Sequence, residues 1–224
     1  RLDRLAHLRY ADLTMHKRIV AVFVTAFGVL TIGISSAHAQ VWTTLASGTT
    51  NDLNDLACVD ERTCYAVGGA PFIGGPGIVI KTVNGGDTWT TQPIPTTQPL
   101  RGIHCPTSEL CYAAGDGGAI LKTINGGIAW TLLSPGTDGT FWDVWAPTPS
   151  TVIAVGNGGL LRRSTNGGDA WSGFIPTPFG PSEPTLLALF CSGSTCWIGA
   201  QDSTIRRSTD AGATWTTLTT PPGT

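Results

Sequence analysis

The sequence predicts an all-β chain built from four-stranded antiparallel blades, and three observations carry that reading. A nine-residue segment ending in tryptophan occurs four times, with Trp89, Trp130, Trp171 and Trp215 spaced 41, 41 and 44 residues apart. That interval is the length of one propeller blade. Six cysteines fall in three close pairs at one place in the repeat. No stretch after residue 40 sustains the apolar period of a helix. The expected fold is therefore a β-propeller with four complete repeats and one extra N-terminal strand.

Residues 1–14 mix Arg1, Asp3, Arg4, Arg9 and Asp12 without targeting logic, and are read as an upstream segment outside the fold. Met15 opens an export leader, residues 15–39. His16, Lys17 and Arg18 are its basic start, Ile19 to Ile34 its apolar run, and Ala37-His38-Ala39 its cleavage signal. The run is shorter than the roughly 20 residues that span a bilayer, so no stable membrane span is expected after cleavage. Residues 40–224 are expected to form the folded unit, in the periplasm or secreted.

That unit carries eight basic and thirteen acidic residues and a single histidine, His104. An acidic surface does not neutralise phosphates, so nucleic acid is excluded as a partner. One histidine excludes a His-rich metal cluster and most histidine-dependent catalysis. No catalytic residue, metal or cofactor is assigned.

Within the second repeat, strands are expected near Leu100–Cys105, Cys111–Ala114, Ala119–Lys122 and Trp130–Leu133. Asp116-Gly117 and Asn157-Gly158 fit two-residue type I′ hairpins between the middle strands. The cysteines flank the first turn of units one, two and four, predicting Cys58–Cys64, Cys105–Cys111 and Cys191–Cys196. Unit three has Ala146 and Val152 there instead, so both members of that pair are missing together. Metal binding by the cysteines is disfavoured because no C-x-x-C spacing occurs.

Each tryptophan closes the pattern Ser/Thr-x-Asp/Asn-x-Gly-x-x-Trp. The four copies are Thr82, Asn84, Gly86, Trp89; Thr123, Asn125, Gly127, Trp130; Ser164, Asn166, Gly168, Trp171; and Ser208, Asp210, Gly212, Trp215. The Asx side chains can accept backbone N–H groups across a tight turn, the hydroxyls add a bond, and glycine supplies positive φ. These are read as turn staples rather than calcium sites, since each has too few carboxylates.

This pattern resembles the Asp-box, or bacterial neuraminidase repeat. The extended Ile/Leu-Lys-Thr-x-Asn-Gly-Gly-x-x-Trp segments resemble the photosystem II stability/assembly-factor-like family. That resemblance implies a non-enzymatic propeller that binds protein partners during assembly.

Trp42–Leu45 looks like a fourth strand with no companions before it, because Trp42-Thr43-Thr44-Leu45 parallels Trp215-Thr216-Thr217-Leu218. It predicts further blades beyond Thr224; the alternative is a closed four-bladed ring with this strand on an edge. Two inserts lie on the face opposite the boxes, around Phe72 and Ile73 and around Phe179. These three are candidates for an apolar contact, against simple loop drift. Lys81, Lys122, Arg163 and Arg207 precede the boxes, with Arg162 and Arg206 beside two of them. They suit a cationic arc for an acidic partner, or stems covering blade surface with their charges in water. Asp138, Phe141, Trp142, Asp143 and Trp145 form an acidic–aromatic cluster that suits sugar, although strand alternation favours the core for Trp142 or Trp145.

The expected function is an exported, non-catalytic scaffold for a protein partner, with glycan as the other ligand class. One rival is a sialidase- or xyloglucanase-type hydrolase, for which Asp138, Asp143 and Glu183 are the available carboxyls. Tyr65 and Tyr112 follow cysteines at equivalent repeat positions, which marks them as structural. A second rival is a surface or matrix module.

Overall fold

Short apolar runs punctuated by Gly, Pro, Ser and Thr pair with their nearest sequence neighbours, since hairpins close with little loop entropy. The structure is a computed structural model describing residues 44–69, 76–172 and 183–218. Sheet 1 holds β1 (Leu53–Cys58), β2 (Cys64–Gly68), β3 (Ile78–Thr82) and β4 (Thr90–Thr91). Sheet 2 holds β5 (Leu100–His104), β6 (Cys111–Gly115), β7 (Ile120–Thr123) and β8 (Thr131–Leu133). Sheet 3 holds β9 (Phe141–Trp145), β10 (Val152–Gly156) and β11 (Leu161–Ser164). Sheet 4 holds β12 (Leu186–Ser192), β13 (Thr195–Ala200), β14 (Ile205–Ser208) and β15 (Thr216–Leu218).

Every pairing is antiparallel and each sheet follows chain order. Three sheets have four strands and sheet 3 has three among the described residues. Just past β11, the Ser172 amide donates to the Arg163 carbonyl at 2.8 Å, where a fourth strand begins in the other sheets. The first strands β1, β5, β9 and β12 stand side by side, so the sheets pack in series.

The core lies between sheets. Tyr65, Val67 and Val79 of sheet 1 meet Leu100, Ile103, Ala113 and Leu121 of sheet 2. Tyr112, Ala114 and Ile120 meet Phe141, Val144 and Val152. Ile153, Val155 and Leu161 meet Leu186, Leu189 and Ile198. Burial, and secondarily Asp169, pushes the Tyr112 phenol up to about 12.

The boxes build one turn four times. The Thr82 hydroxyl accepts from Gly86 N (3.0 Å) and donates to Asn84 Oδ1 (2.8 Å). Thr123, Ser164 and Ser208 repeat this with Gly127, Gly168 and Gly212. Asn84, Asn125, Asn166 and Asp210 each accept the amide four residues on. The turn-closing groups bond to one another. Disulfides Cys58–Cys64, Cys105–Cys111 and Cys191–Cys196 tie the first turns of sheets 1, 2 and 4, which fits an oxidising compartment.

Two expectations change. The reversals after β6 and β10 are centred one residue late, on Gly117-Gly118 and Gly158-Gly159, all at positive φ. The Ala119 and Leu160 amides close them onto the Asp116 and Asn157 carbonyls. A Cβ on Gly118 would lie 1.9 Å from the Thr137 carbonyl oxygen, so the second glycine is required there. Half of the proposed strand at Trp42–Leu45 falls outside the described residues, and its described half, Thr44 and Leu45, is not in a strand. Leu45 nevertheless sits against Gly86 of the first box, as Leu133 of β8 sits against Gly168 of the third.

Candidate functional site

Each innermost strand carries one extra residue. Register shifts at Leu53/Asp55 and Leu100/Gly102 leave Asn54 and Arg101 unpaired within the ladder. The shifts opposite β9 and at Leu186/Ala188 do the same for Trp142 and Leu187. A bulge re-aims its extra side chain, and here four residues of different chemistry occupy this position, on the face that carries the reversals after β6 and β10.

The side chains on this face are fixed in place. Arg101 makes a two-point contact with Asp116, at 3.0 and 2.7 Å, and its guanidinium lies 4.9 Å from the Trp142 ring centre. The Trp142 indole N–H donates to Asn157 Oδ1. Asp116 and Asn157 each open a β-turn fifteen residues after the bulge residue they hold. Asn54 Nδ2 donates to the Leu100 carbonyl at 2.7 Å. Leu187 is 46% exposed. A shallow cleft of about 330 Å³ lies nearby, lined by Thr96, Gln98, Gly117, Leu132 and Pro135 among others, none of them ionisable.

Asp143, Asp55 and Glu183 are engaged elsewhere. Buried Asp143 accepts Val144 N at 2.8 Å and, across the sheet boundary, Leu189 N at 2.6 Å. Asp55 repeats this between sheets 1 and 2, with Leu56 N and Ile103 N. Glu183 pairs with Arg206 at 3.3 Å. Asp138 is exposed.

The basic residues do not form one arc. Neighbours along a strand point to opposite faces, so Arg206 is buried at 1% exposure while Arg207 is exposed. Arg162 donates to the Pro135 carbonyl. Lys81, Lys122 and Arg163 reach the next sheet rather than water, donating to the carbonyls of Gly126, Gly167 and Ala211 at 2.7, 2.7 and 2.8 Å. Phe72, Ile73 and Phe179 lie outside the described residues.

Phe141 is fully buried, whereas Trp142 and Trp145 are only half-buried. Trp145 stacks on His104 at 3.9 Å, and His104 Nδ1 accepts Ala146 N. Sequence reasoning missed Arg101, Asp116, Asn157 and Leu187. The recurrent offset between Arg101 and Asp116 and between Trp142 and Asn157 is the signal that would have found the first three.

No protein-family profile and no curated protein matches the chain. Among solved structures, the GH74 enzyme of Niastella koreensis is 19% identical with a TM-score of 0.60, over 74% of this chain and 30% of that one. An ancestral GH74 enzyme is 16% identical with a TM-score of 0.52, over 80% of this chain and 32% of that one. YCF48 bound to D1 peptide is 13% identical with a TM-score of 0.47, over 75% of this chain and 81% of that one. The chain thus spans about a third of the length of either GH74 enzyme. The likeness to the GH74 enzymes is one of fold, and supports an all-β, β-propeller-type chain.

Proposed function

We propose that the chain is a non-catalytic β-propeller scaffold that binds a protein partner outside the cytoplasm, on the face carrying the bulge residues. One observation supports this most: the repeat brings Asn54, Arg101, Trp142 and Leu187 into one row, with Arg101 and Trp142 locked in place beforehand. Pre-positioned tryptophan and arginine beside an exposed leucine is the composition of interface hot spots. Side chains already fixed lose little entropy on binding. Of the carboxyls available to a glycosidase, Asp143 accepts backbone amides and Glu183 pairs with Arg206, while Asp138 is exposed.

The test is retention of an extracytoplasmic partner by immobilised chain. Trp142→Ala with Leu187→Asp is expected to weaken retention by about tenfold or more while leaving the fold intact by circular dichroism. Equal retention by the variant would remove the face from consideration. Turnover of a glycan panel by the wild-type chain would replace the proposal with the hydrolase reading.

A further inference from the structure

Asparagine followed by glycine occurs four times, as Asn84-Gly85, Asn125-Gly126, Asn157-Gly158 and Asn166-Gly167. Such a pair can lose ammonia unaided. The glycine amide nitrogen gives up its proton to water and attacks the asparagine Cγ. The bond from Cγ to Nδ2 breaks, ammonia leaves, and a cyclic imide remains. Water then opens either imide carbonyl, which leaves aspartate or isoaspartate. Glycine permits the attack because it has no Cβ to obstruct it. The amide must be free to lose its proton, and the side chain must be free to swing onto it.

The structure separates the four pairs. In the boxes the attacking nitrogen is already committed. The Gly85, Gly126 and Gly167 amides donate to the carbonyls of Arg62, Glu109 and Ser150 at 2.9, 2.9 and 2.7 Å. The box side chains are committed too. Asn84, Asn125 and Asn166 each accept, on Oδ1, one hydroxyl and the amide four residues on. Attack within a box would therefore break three hydrogen bonds.

Asn157-Gly158 lacks this protection. It lies in the reversal after β10, and both residues are exposed. Among the described residues the Gly158 amide donates no hydrogen bond, and nothing lies within 4 Å of a Cβ built on that glycine. Asn157 Oδ1 accepts the Trp142 indole N–H. That donor points at the oxygen on which negative charge develops during attack, so it favours the step. The matching reversal of sheet 2 starts with Asp116. Its side chain has no amine to expel, Arg101 holds it at two points, and Gly117 is packed on the Gln98 side chain.

We propose that Asn157 is a site of spontaneous deamidation in the folded protein, converted through a cyclic imide with Gly158 while the three box asparagines persist. Either product adds a negative charge beside the Arg101–Trp142 stack. Aspartate keeps an acceptor oxygen for the indole. Isoaspartate routes the backbone through the former side chain. The carbonyl that accepts the Leu160 amide at 3.0 Å is then displaced, and Trp142 loses its anchor. The reaction consumes only water, and it proceeds whether or not this face binds a partner.

Timed incubation of the full chain at mildly alkaline pH, quenched in acid and mapped by peptide mass spectrometry, tests it. Asn157 is expected to convert about tenfold or more faster than Asn84, Asn125 or Asn166, since each box must first give up its hydrogen bonds. Part of the product should be isoaspartate, detected by enzymatic methylation of its free carboxyl group. In denaturant the four sites are expected to convert at similar rates, which assigns the selectivity to the fold. Asn157→Gln is expected to leave position 157 unmodified over the same period, because glutamine closes a larger ring far more slowly. Asn157 that stays intact in the folded chain, or converts no faster than the box asparagines, overturns the proposal.

Discussion

The fourth box carries Asp210 where the other three carry Asn84, Asn125 and Asn166. Thr214 binds its carboxylate through hydroxyl and amide, Ser208 adds a hydroxyl, and together they hold it down to about 2. A carboxylate whose pKa is depressed on folding stabilises the fold above its unfolded value and loses that contribution as the pH falls. The window therefore runs from about pH 4 down to about 2. Equilibrium unfolding followed across this range should show the wild-type chain weakening more steeply than Asp210→Asn. The asparagine variant keeps the acceptor oxygen and removes the titration. Identical acid profiles would mean that the fourth turn contributes nothing to folding that depends on its charge.

Among the elements, the first hairpin of sheet 3 lacks the bridge its three counterparts have. Continuing the β9–β10 register past Trp145 and Ile153 brings Ala146 opposite Val152, as the β5–β6 register brings Cys105 opposite Cys111. A double Ala146→Cys, Val152→Cys variant should therefore close a fourth disulfide, with no free thiol by titration under denaturing conditions. Two free thiols would show that the equivalence is only approximate. Hairpins of this kind were legible in the sequence because alternation, paired cysteines and Gly-rich turns each mark them locally. The bulges were not, since an extra residue is defined only by what it fails to pair with across the ladder. That is why alternation favoured the core for Trp142 or Trp145 and Arg101 went unnoticed, although Trp142 and Arg101 are set by the same backbone device. Turn placement was off by one for a related reason. The collision that demands glycine at position 118 comes from Thr137, in the segment leading into the next sheet.

For the whole molecule, coherence depends on groups that cross from sheet to sheet. Asp143 accepts one amide from its own strand and one from β12. Asparagine has only one acceptor oxygen, so Asp143→Asn turns an N–H donor toward an amide donor. A loss of about 2–3 kcal/mol is expected in denaturant unfolding, with sheet 4 exchanging its amide hydrogens first. Full stability in this variant would place the sheet 3–sheet 4 coupling elsewhere, in the packing of Leu161 against Leu186 and Leu189. The lysine and arginine clasps show the limit of reading charge from sequence. A cation preceding each box suggested either a surface arc or stems covering blade surface with their charges in water, but in three of the four repeats the charge ends on a backbone carbonyl of the next sheet.

The three disulfides have a further consequence for how the chain is made. Six thiols admit fifteen full pairings, yet every native bond joins cysteines five or six positions apart. Each bridge therefore lies inside a single hairpin, and both its thiols emerge close together as the chain is made. Oxidation can seal each hairpin before the next pair of cysteines arrives, so correct pairing follows from the order of delivery and leaves an isomerase little to repair.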